Sequence, residues 1–313
     1  FLVNLPLCAL AVWRLHTMRG DDVQHAAKGP PDTAGIVLFA LAVGTALLWL
    51  SSGGHRFEWA SATSAALVAA AAVLTALLVR VERRAERPFL PFELMAMPAV
   101  RYAVLTVLGF ASAMFAMVFY LPVYLQLALH SNPAESGLLL LPLTAGIVGG
   151  AALTGRIIVW TGRPTAIPGV GLLVAAASLF ALAFLPPTRP ILIALEITTG
   201  LGLGCVMSVM QIVTQSAAGT SRLGAAAATI SLARTLGSSV GAAAFGALIY
   251  GLIGGSALLS GARSAADEAR VAHAFDIGFV AAGVLCLLAA WAASRVPSLR
   301  FEREQPAPTS MTE

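Results

Sequence analysis

Long apolar runs alternate with short polar breaks along the whole chain. The runs cover approximately residues 1–13, 34–50, 60–79, 100–127, 136–155, 166–185, 190–214, 223–254 and 275–294. A helix needs about 20 mainly apolar residues to cross a bilayer, and every run except the first approaches that length. The pattern predicts an all-α polytopic membrane protein with about nine transmembrane helices.

The loops between these runs divide the basic residues unequally between the two sides of the membrane. Consecutive loops alternate sides, and one side receives Arg14, Arg19, Lys28, Arg80, Arg83, Arg84, Arg87, Arg101, Arg156, Arg163, Arg222, Arg295, Arg300 and Arg303, whereas the other receives Arg56, Arg189, Arg263 and Arg270. Cytoplasmic loops carry the excess of Lys and Arg. This distribution predicts a multi-pass protein of the cell (inner or plasma) membrane with a cytoplasmic C-terminus.

Composition excludes a soluble protein. The chain is 58% hydrophobic and only 11% charged, with a mean hydropathy of +0.85, whereas soluble domains carry about 25% charged residues. The net charge of +4 comes from loop clusters, so we expect a lipid bilayer and no nucleic acid as partner. The three cysteines, Cys8, Cys205 and Cys286, lie far apart in apolar runs, so neither a disulfide framework nor a metal site is predicted.

The stretch "SLARTLGSSVGAAAFG" at 231–246 contains the pattern G-x-S-x-G around Ser239. That pattern supports hydrolysis only on a strand-to-helix turn with a histidine and an acid close in space. Residues 223–254 form an Ala- and Gly-rich apolar run without strand character, and all five histidines lie in loops or at the ends of runs. The sequence therefore predicts that the protein is not an enzyme and has no catalytic residue.

Small residues at four-residue spacing favour close helix packing in lipid. Gly237 and Gly241 have this spacing in the eighth run, Gly200 and Gly204 have it in the seventh, and Gly146 and Gly150 in the fifth. We predict that these glycines form the contacts that hold the helices together.

Two charged residues lie well inside apolar runs, away from their ends, where charge is costly and usually functional. Glu196 begins a helical stripe that continues through Gly200, Leu203, Met207, Gln211 and Thr214. The stripe suits the wall of a substrate or proton pathway, with a carboxylate at the outer headgroup level as the alternative. Arg234 either extends back to the cytoplasmic interface or points into a central cavity.

The fourth run offers further candidates for a pathway. Phe110, Met114, Met117 and Tyr124 share one helical stripe, with Phe119, Tyr120 and Gln126 beside it. Methionine and aromatic side chains make adaptable apolar surfaces for varied ligands, although the same residues also suit contact with lipid or a neighbouring helix. Pro122 predicts a kink near the outer end of this helix.

Several segments together resemble the 14-spanner drug–proton antiporters of the major facilitator superfamily. They are "FLVNLP" at 1–6, "FYLPVYLQ" at 119–126, "GLLLLPLTAGIVGG" at 137–150 and "ARTLGSSVGAAAFGALI" at 233–249. The resemblance implies an N-terminally truncated transporter whose five preceding helices are missing. It also implies proton-coupled efflux of small hydrophobic or cationic substrates, including antibiotics, by alternating access. The energy source is then the proton gradient, without a bound cofactor, and we expect the fragment to be inactive alone.

The same resemblance divides the chain into six parts. They are a helix remnant at 1–14, a cytoplasmic loop at 15–33, a central two-helix hairpin at 34–81, a cytoplasmic linker at 82–99, a complete C-terminal six-helix bundle at 100–296 and a cytoplasmic tail at 297–313.

One loop departs from the pattern of the superfamily. In "GRIIVWTGRP" the residues Gly155, Gly162 and Arg163 fit the cytoplasmic signature, but Val159 and Trp160 stand where an acidic residue and an arginine are expected. The loop thus has the glycines of the signature but lacks the acidic residue and the arginine that its charge relay would need.

Two other functions stay open at this point. A membrane-embedded enzyme would need a polar cluster at one interface, for which His130, Asn132 and Glu135 are the candidates. A non-transporting membrane subunit would need no such cluster.

Overall fold

The structure is a computed structural model. It describes residues 6, 8, 10, 12–14, 33–54, 56–85, 92–128, 131–161, 164–186, 188–253 and 265–297. The named α-helices of this part are α1 (Thr33–Ser52), α2 (Ala62–Glu82), α3 (Phe92–Ala96), α4 (Pro98–Ala128), α5 (Pro133–Leu138), α6 (Leu141–Thr161), α7 (Ala166–Phe184), α8 (Arg189–Gly204), α9 (Val206–Ala218), α10 (Leu223–Ile253) and α11 (Ala265–Ser294).

The all-helical fold class is confirmed. Eight spans in the described part of the chain are long and apolar enough to cross a membrane, with α5 and α6 forming one of them and α8 and α9 another. The first predicted run, 1–13, lies mostly outside the described residues. Backbone groups in lipid must be satisfied internally, and helices meet that requirement along most of each span.

The helices α4 to α11 form one bundle with a shared core. The contacts join α6 to α8, α7 to α8 and α11, α4 to α10 and α11, and α9 to α4 and α10. Helices α1 and α2 form a hairpin that meets the bundle through α10. One end of the bundle carries Arg101, Arg156, Arg222 and Arg295 and is called the arginine-rich end here; the opposite end carries Glu135 and Arg189.

The hairpin turn is fixed by two tryptophans. The rings of Trp49 and Trp59 meet edge to face with 5.3 Å between their centroids. The indole N–H of Trp49 donates a hydrogen bond to the hydroxyl of Ser64 at 2.9 Å. Gly54 adopts φ +76° in the turn, a backbone region that favours glycine. The turn therefore sets how α1 and α2 pack.

Glycines allow α6 and α8 to run parallel with their backbones in contact. A Cβ atom at Gly200 would collide with the carbonyl oxygen of Leu143, and one at Gly204 with that of Ile147. From the other helix, a Cβ at Gly146 would lie 2.5 Å from the carbonyl oxygen of Ile197. The glycines that the sequence analysis noted in two separate runs thus face each other across one contact, the α6–α8 seam.

The second close contact joins α10 to α4. A Cβ at Gly237 would lie 2.5 Å from the carbonyl oxygen of Leu108, and one at Gly241 would collide with the backbone of Ser112. The Ser112 hydroxyl donates a hydrogen bond to the Gly237 carbonyl oxygen at 2.8 Å. The Tyr120 hydroxyl donates another to the carbonyl oxygen of Ala242 at 2.9 Å. Hydrogen bonds between the two helices thus add to their close backbone packing.

The seventh run is divided, which the sequence analysis did not foresee. Helix α8 ends at Gly204 and α9 begins at Val206, so the span from Arg189 to Ala218 is broken at Cys205. Gly200, Gly202 and Gly204 precede the break, and glycine is a poor helix former. The break lies inside an apolar run, and hydropathy alone does not reveal it.

Helix α11 begins at Ala265, ten residues before the predicted start of the ninth run at 275. The residues before 275 include Ala, Glu and Arg, which are strong helix formers. Val271, Ala274 and Phe275 are buried in the core, and their spacing matches one face of a helix. The stretch "SGARSAADEARVAH" at 260–273 is predicted as a polar loop between runs, and this prediction is corrected: from Ala265 onward the stretch is helical.

We predict that Gly204→Ala destabilises the protein whereas Gly44→Ala does not. The new Cβ at position 204 meets the α6 backbone, and overpacking of this kind costs about 1–3 kcal/mol. A Cβ at Gly44 of α1 meets nothing within 4 Å, and alanine is the better helix former there. Thermal unfolding in detergent measures both variants. Equal midpoints for the two variants would contradict a structural role for the α6–α8 seam.

Candidate functional site

In the half of α4 away from the arginine-rich end, one face is not covered by the other described helices. Phe119 is 55% exposed on this face, and Phe115 and Gln126 are partly exposed there. Nearer the arginine-rich end, Leu108 and Ser112 of the same face pack against α10. The Phe115 and Phe119 rings lie 6.0 Å apart. Side chains four residues apart on a helix lie on the same side. We call this row of exposed α4 side chains the open stripe. Phe119 was already a candidate from the sequence, whereas Phe115, four residues before it, was missed.

The stripe predicted for α4 faces the other way. Phe110, Met117 and Tyr124 are 2%, 2% and 4% exposed, and Met114 packs against the same core. The Tyr124 ring contacts the rings of Phe275 and Phe279 of α11, at centroid distances of 5.3 and 5.2 Å. These residues hold α4 to α11. Met117 and Tyr124 are thus enclosed by core contacts, Met114 is partly exposed beside them, and their place in a pathway stays a prediction.

Tyr120 and Gln126 lie at the edges of the open stripe. The Tyr120 ring stacks on that of Phe245 of α10 at 6.3 Å, and its hydroxyl bonds to the α10 backbone. The amide nitrogen of Gln126 donates a hydrogen bond to the hydroxyl of Ser136 at 2.9 Å. Helix α4 continues through Pro122. Both side chains thus connect the stripe to neighbouring helices.

The polar cluster considered for an enzyme has structural partners instead. The side chain of Asn132 caps α5 by accepting a hydrogen bond from the Glu135 N–H at 2.8 Å. The Glu135 carboxylate pairs with the Arg189 guanidinium at 2.9 Å. His130 lies outside the described residues. Ser239 is in the middle of α10, with no strand-to-helix turn beside it, so the hydrolase pattern is a coincidence of composition.

Glu196 is completely buried in α8. Its side chain is 0% exposed, and neither carboxylate oxygen has a hydrogen-bond partner among the described residues. The alternative of a carboxylate among the lipid headgroups would require exposure, which this position lacks. One turn further along α8, the hydroxyl of Thr199 is buried and likewise has no partner. The sequence analysis missed Thr199, because nothing in a sequence distinguishes it from a threonine bonded to its own helix.

Gln211 lies further along the same span. It is partly exposed on α9, which packs on α4 and α10. The neighbouring Thr214 is buried and donates its hydroxyl to the carbonyl oxygen of Met210 at 2.8 Å. Gln211 is thus the polar side chain of this stripe that stays accessible at the bundle surface.

Arg234 is exposed, near the arginine-rich end of α10. Helices α4 and α10 run parallel, and Gly237 lies level with Leu108. By that register Arg234 lies about one helical turn, roughly 5 Å, deeper than Arg101 at the start of α4. The Arg234 side chain is long enough to bring its guanidinium group back to the level of Arg101.

The loop signature is described only in part. Gly155 is exposed on α6, and a Cβ there would meet nothing within 4 Å. Val159 and Trp160 are 73% and 80% exposed. Gly162 and Arg163 lie outside the described residues.

Comparison with known proteins places this bundle in a family. Residues 32–242 match the profile of a protein family described as "Major Facilitator Superfamily". This range contains the hairpin and the bundle up to the middle of α10.

Curated relatives agree with this match. An uncharacterized MFS-type transporter of Mycobacterium tuberculosis is 31% identical over 269 residues, covering 84% of this chain and 39% of the relative. The Multidrug transporter protein MdtP of Bacillus subtilis is 26% identical and matches 80% of this chain and 46% of its own length. A tetracycline resistance determinant of Streptomyces rimosus is 27% identical, over 65% of this chain and 60% of the relative. The chain thus spans about half the length of these relatives.

A solved structure shares the fold. It is a bacterial homologue of the human lysosomal transporter Spinster in an inward-facing, occupied conformation, with a TM-score of 0.53 and 18% identity over 84% of this chain and 65% of that one. The family and its relatives are transporters rather than enzymes. On the family match and on the helical bundle that carries it, this chain belongs to the major facilitator superfamily of membrane transporters.

Proposed function

We propose that the protein exports drugs or other small hydrophobic compounds in exchange for protons. The proposal is supported by relatives that are named a multidrug transporter and a tetracycline resistance determinant. It is also supported by the composition of the open stripe, which is the observation that carries the substrate class. Its accessible side chains are large and apolar or aromatic, with amide and hydroxyl groups only at the edges. Such surfaces bind varied ligands without demanding one hydrogen-bonding pattern.

The mechanism we propose is alternating access, in which two helical bundles rock around a binding site near the bilayer midplane. The bundle from α4 to α11 is one of the two. A second bundle, on the same polypeptide or on another, would face its open side. Tyr120, Gln126 and Gln211 then supply the polar contacts to substrate, and the α4–α10 contact keeps the stripe rigid during the movement.

We further propose the 14-spanner subfamily and an orientation in the cell membrane. Helices α1 and α2 are then the additional central pair, attached to the bundle through α10. The arginine-rich end is cytoplasmic, in agreement with the positive-inside rule, and the C-terminus lies on that side. The Glu135–Arg189 pair would then lie at the outer surface, where exposed ion pairs contribute at most about 1 kcal/mol.

We predict that Phe119→Ala lowers efflux of hydrophobic compounds at least severalfold, since it removes a large apolar contact from the open stripe. Phe184→Ala is the matched control: Phe184 is 79% exposed, but on α7 and away from the stripe. The measurement is accumulation of tetracycline or of a hydrophobic cationic dye in proteoliposomes of the full-length protein with an imposed pH gradient. Equal transport by both variants would contradict the assignment of the stripe.

The energy source has its own test in the same vesicles. We predict that a protonophore, or the removal of the pH gradient, abolishes accumulation, because the proton gradient drives it. Accumulation that persists without a gradient refutes proton coupling.

We also predict that the 313-residue chain reconstituted alone does not transport, since half of the proposed binding site is then lacking.

We predict that Arg234 is accessible from the cytoplasm. After replacement of Cys8, Cys205 and Cys286 by serine, Arg234→Cys should react with a membrane-impermeant maleimide applied from the cytoplasmic side. The control is Ala233→Cys, whose side chain is 3% exposed against α4 and should not react. Reaction only from the outer side, or no reaction at all, would overturn the proposed orientation or the location at the interface.

A further inference from the structure

Glu196 is the most unusual polar group in the described part of the bundle. Both of its carboxylate oxygens are buried without a hydrogen-bond partner, and so is the Thr199 hydroxyl one turn away. Residues three apart on a helix are neighbours on its surface. Three buried oxygen atoms without partners therefore lie together, although buried polar groups are nearly always hydrogen-bonded. Such groups call for a ligand that the protein itself does not provide.

The orientation of Thr199 supports this view. Buried threonines elsewhere in the bundle donate their hydroxyls to the carbonyl oxygen four residues before: Thr106 to Tyr102, Thr154 to Gly150 and Thr214 to Met210, at 2.8 Å in each case. The Thr199 hydroxyl makes no such bond. It therefore remains available to the Glu196 carboxyl group or to a water molecule beside it.

The surroundings of Glu196 offer no compensating charge. The helices packed on α8 are α6, α7 and α9, and their only charged side chain is Arg156. Arg156 is exposed and lies ten residues past Gly146, the α6 residue in contact with α8 near Glu196. It is thus about 15 Å further along the helix. Arg189, at the start of α8 itself, is paired with Glu135.

The other helices of the core carry ionisable groups at this end. Helix α4 contributes Tyr120 and Tyr124, α10 contributes Tyr250, and α11 contributes Asp267, Glu268, Arg270, His273 and Asp276. Arg270 and His273 are exposed, and Asp276 is partly exposed. The Glu196 carboxylate has no hydrogen-bond partner among the described residues. An ionised carboxylate without a partner is strongly disfavoured in such a place, and the neutral acid is the form that fits it.

Helix α8, which carries Glu196, meets its neighbours closely through glycines. Gly200 and Gly204 contact the α6 backbone, and Gly202 contacts the α7 backbone. The side-chain hydrogen bonds at these contacts are few: the Ser178 and Thr198 hydroxyls lie 2.8 Å apart, and the Cys205 thiol donates to the carbonyl oxygen of Gly150 at 3.6 Å. A displacement of α8 would therefore have to break few bonds.

We infer that Glu196 and Thr199 form a proton-binding site enclosed within the bundle, separate from the open stripe. Glu196 takes one proton from water and becomes a neutral carboxylic acid, which stabilises the closed α6–α8 seam. Release of that proton leaves a carboxylate that needs water, and therefore favours a state in which α8 has moved away from α6. This inference rests on the proposed proton coupling, for which it supplies the site.

The test begins with infrared spectroscopy of the purified full-length protein. At neutral pH exposed carboxyl groups are ionised, and we expect a carbonyl band of a protonated carboxylic acid that shifts in D₂O. Glu196→Gln should remove the band, whereas Glu135→Gln, an exposed carboxylate at the same end of the bundle, should retain it. Thr199→Val should shift its frequency, which keeps the test valid if Glu196→Gln does not fold. A wild-type protein without the band, or a band that survives Glu196→Gln unchanged, overturns the inference.

Transport separates this inference from the proposed function. In proteoliposomes, Glu196→Gln should lose accumulation driven by the pH gradient while retaining exchange of substrate across the membrane, and Glu135→Gln should retain both. If the wild-type protein shows the band but no proton-driven transport, the proposed function fails and the proton site stands. If the wild type is proton-driven and Glu196→Gln has the same pH dependence, Glu196 has no part in coupling and the inference fails.

Discussion

Close backbone contact between helices is the constraint on which the rest of this structure depends. In lipid, apolar side chains gain nothing by leaving the solvent, so helices associate through van der Waals packing and hydrogen bonds. Glycine makes that packing possible at the α6–α8 seam and between α4 and α10, where a single Cβ would meet carbonyl oxygens. These two contacts set the distances within the bundle. They therefore decide which side chains of α4 and α8 turn inward and which remain open.

The two contacts differ in their hydrogen bonds. Between α4 and α10 the hydroxyls of Ser112 and Tyr120 add hydrogen bonds to the glycine packing. The α6–α8 seam consists mainly of backbone contacts, with one weak hydrogen bond from the Cys205 thiol to the carbonyl oxygen of Gly150. In the mechanism proposed above, the first contact would hold the substrate-binding face and the second would allow α8 to move.

The sequence predicts the fold class, and it predicts the spans to within a few residues wherever an apolar run is continuous. It fails where a span depends on tertiary contacts. The break at Cys205 lies within an apolar run, so hydropathy does not change there. The start of α11 is amphipathic: its charged residues give it the composition of a loop, although Val271 and Ala274 are buried. For the site, sequence identifies Glu196 because charge is rare in lipid. It does not tell the two faces of α4 apart, because both are apolar and only packing against α10 and α11 distinguishes Phe119 from Met117.

The same reasoning explains why a buried glutamate persists in this bundle at all. A neutral leucine or glutamine would pack in its place without the cost of an unpaired carboxyl group, since apolar replacements of buried polar groups are often neutral or stabilising. Stability alone therefore does not account for Glu196. A group whose charge is tolerated in one packing state and not in another links proton binding to the equilibrium between those states, because a ligand shifts an equilibrium only by its difference in affinity for the two. A carboxyl group enclosed beside a movable glycine contact meets that condition, whereas an exposed carboxylate such as Glu135 does not.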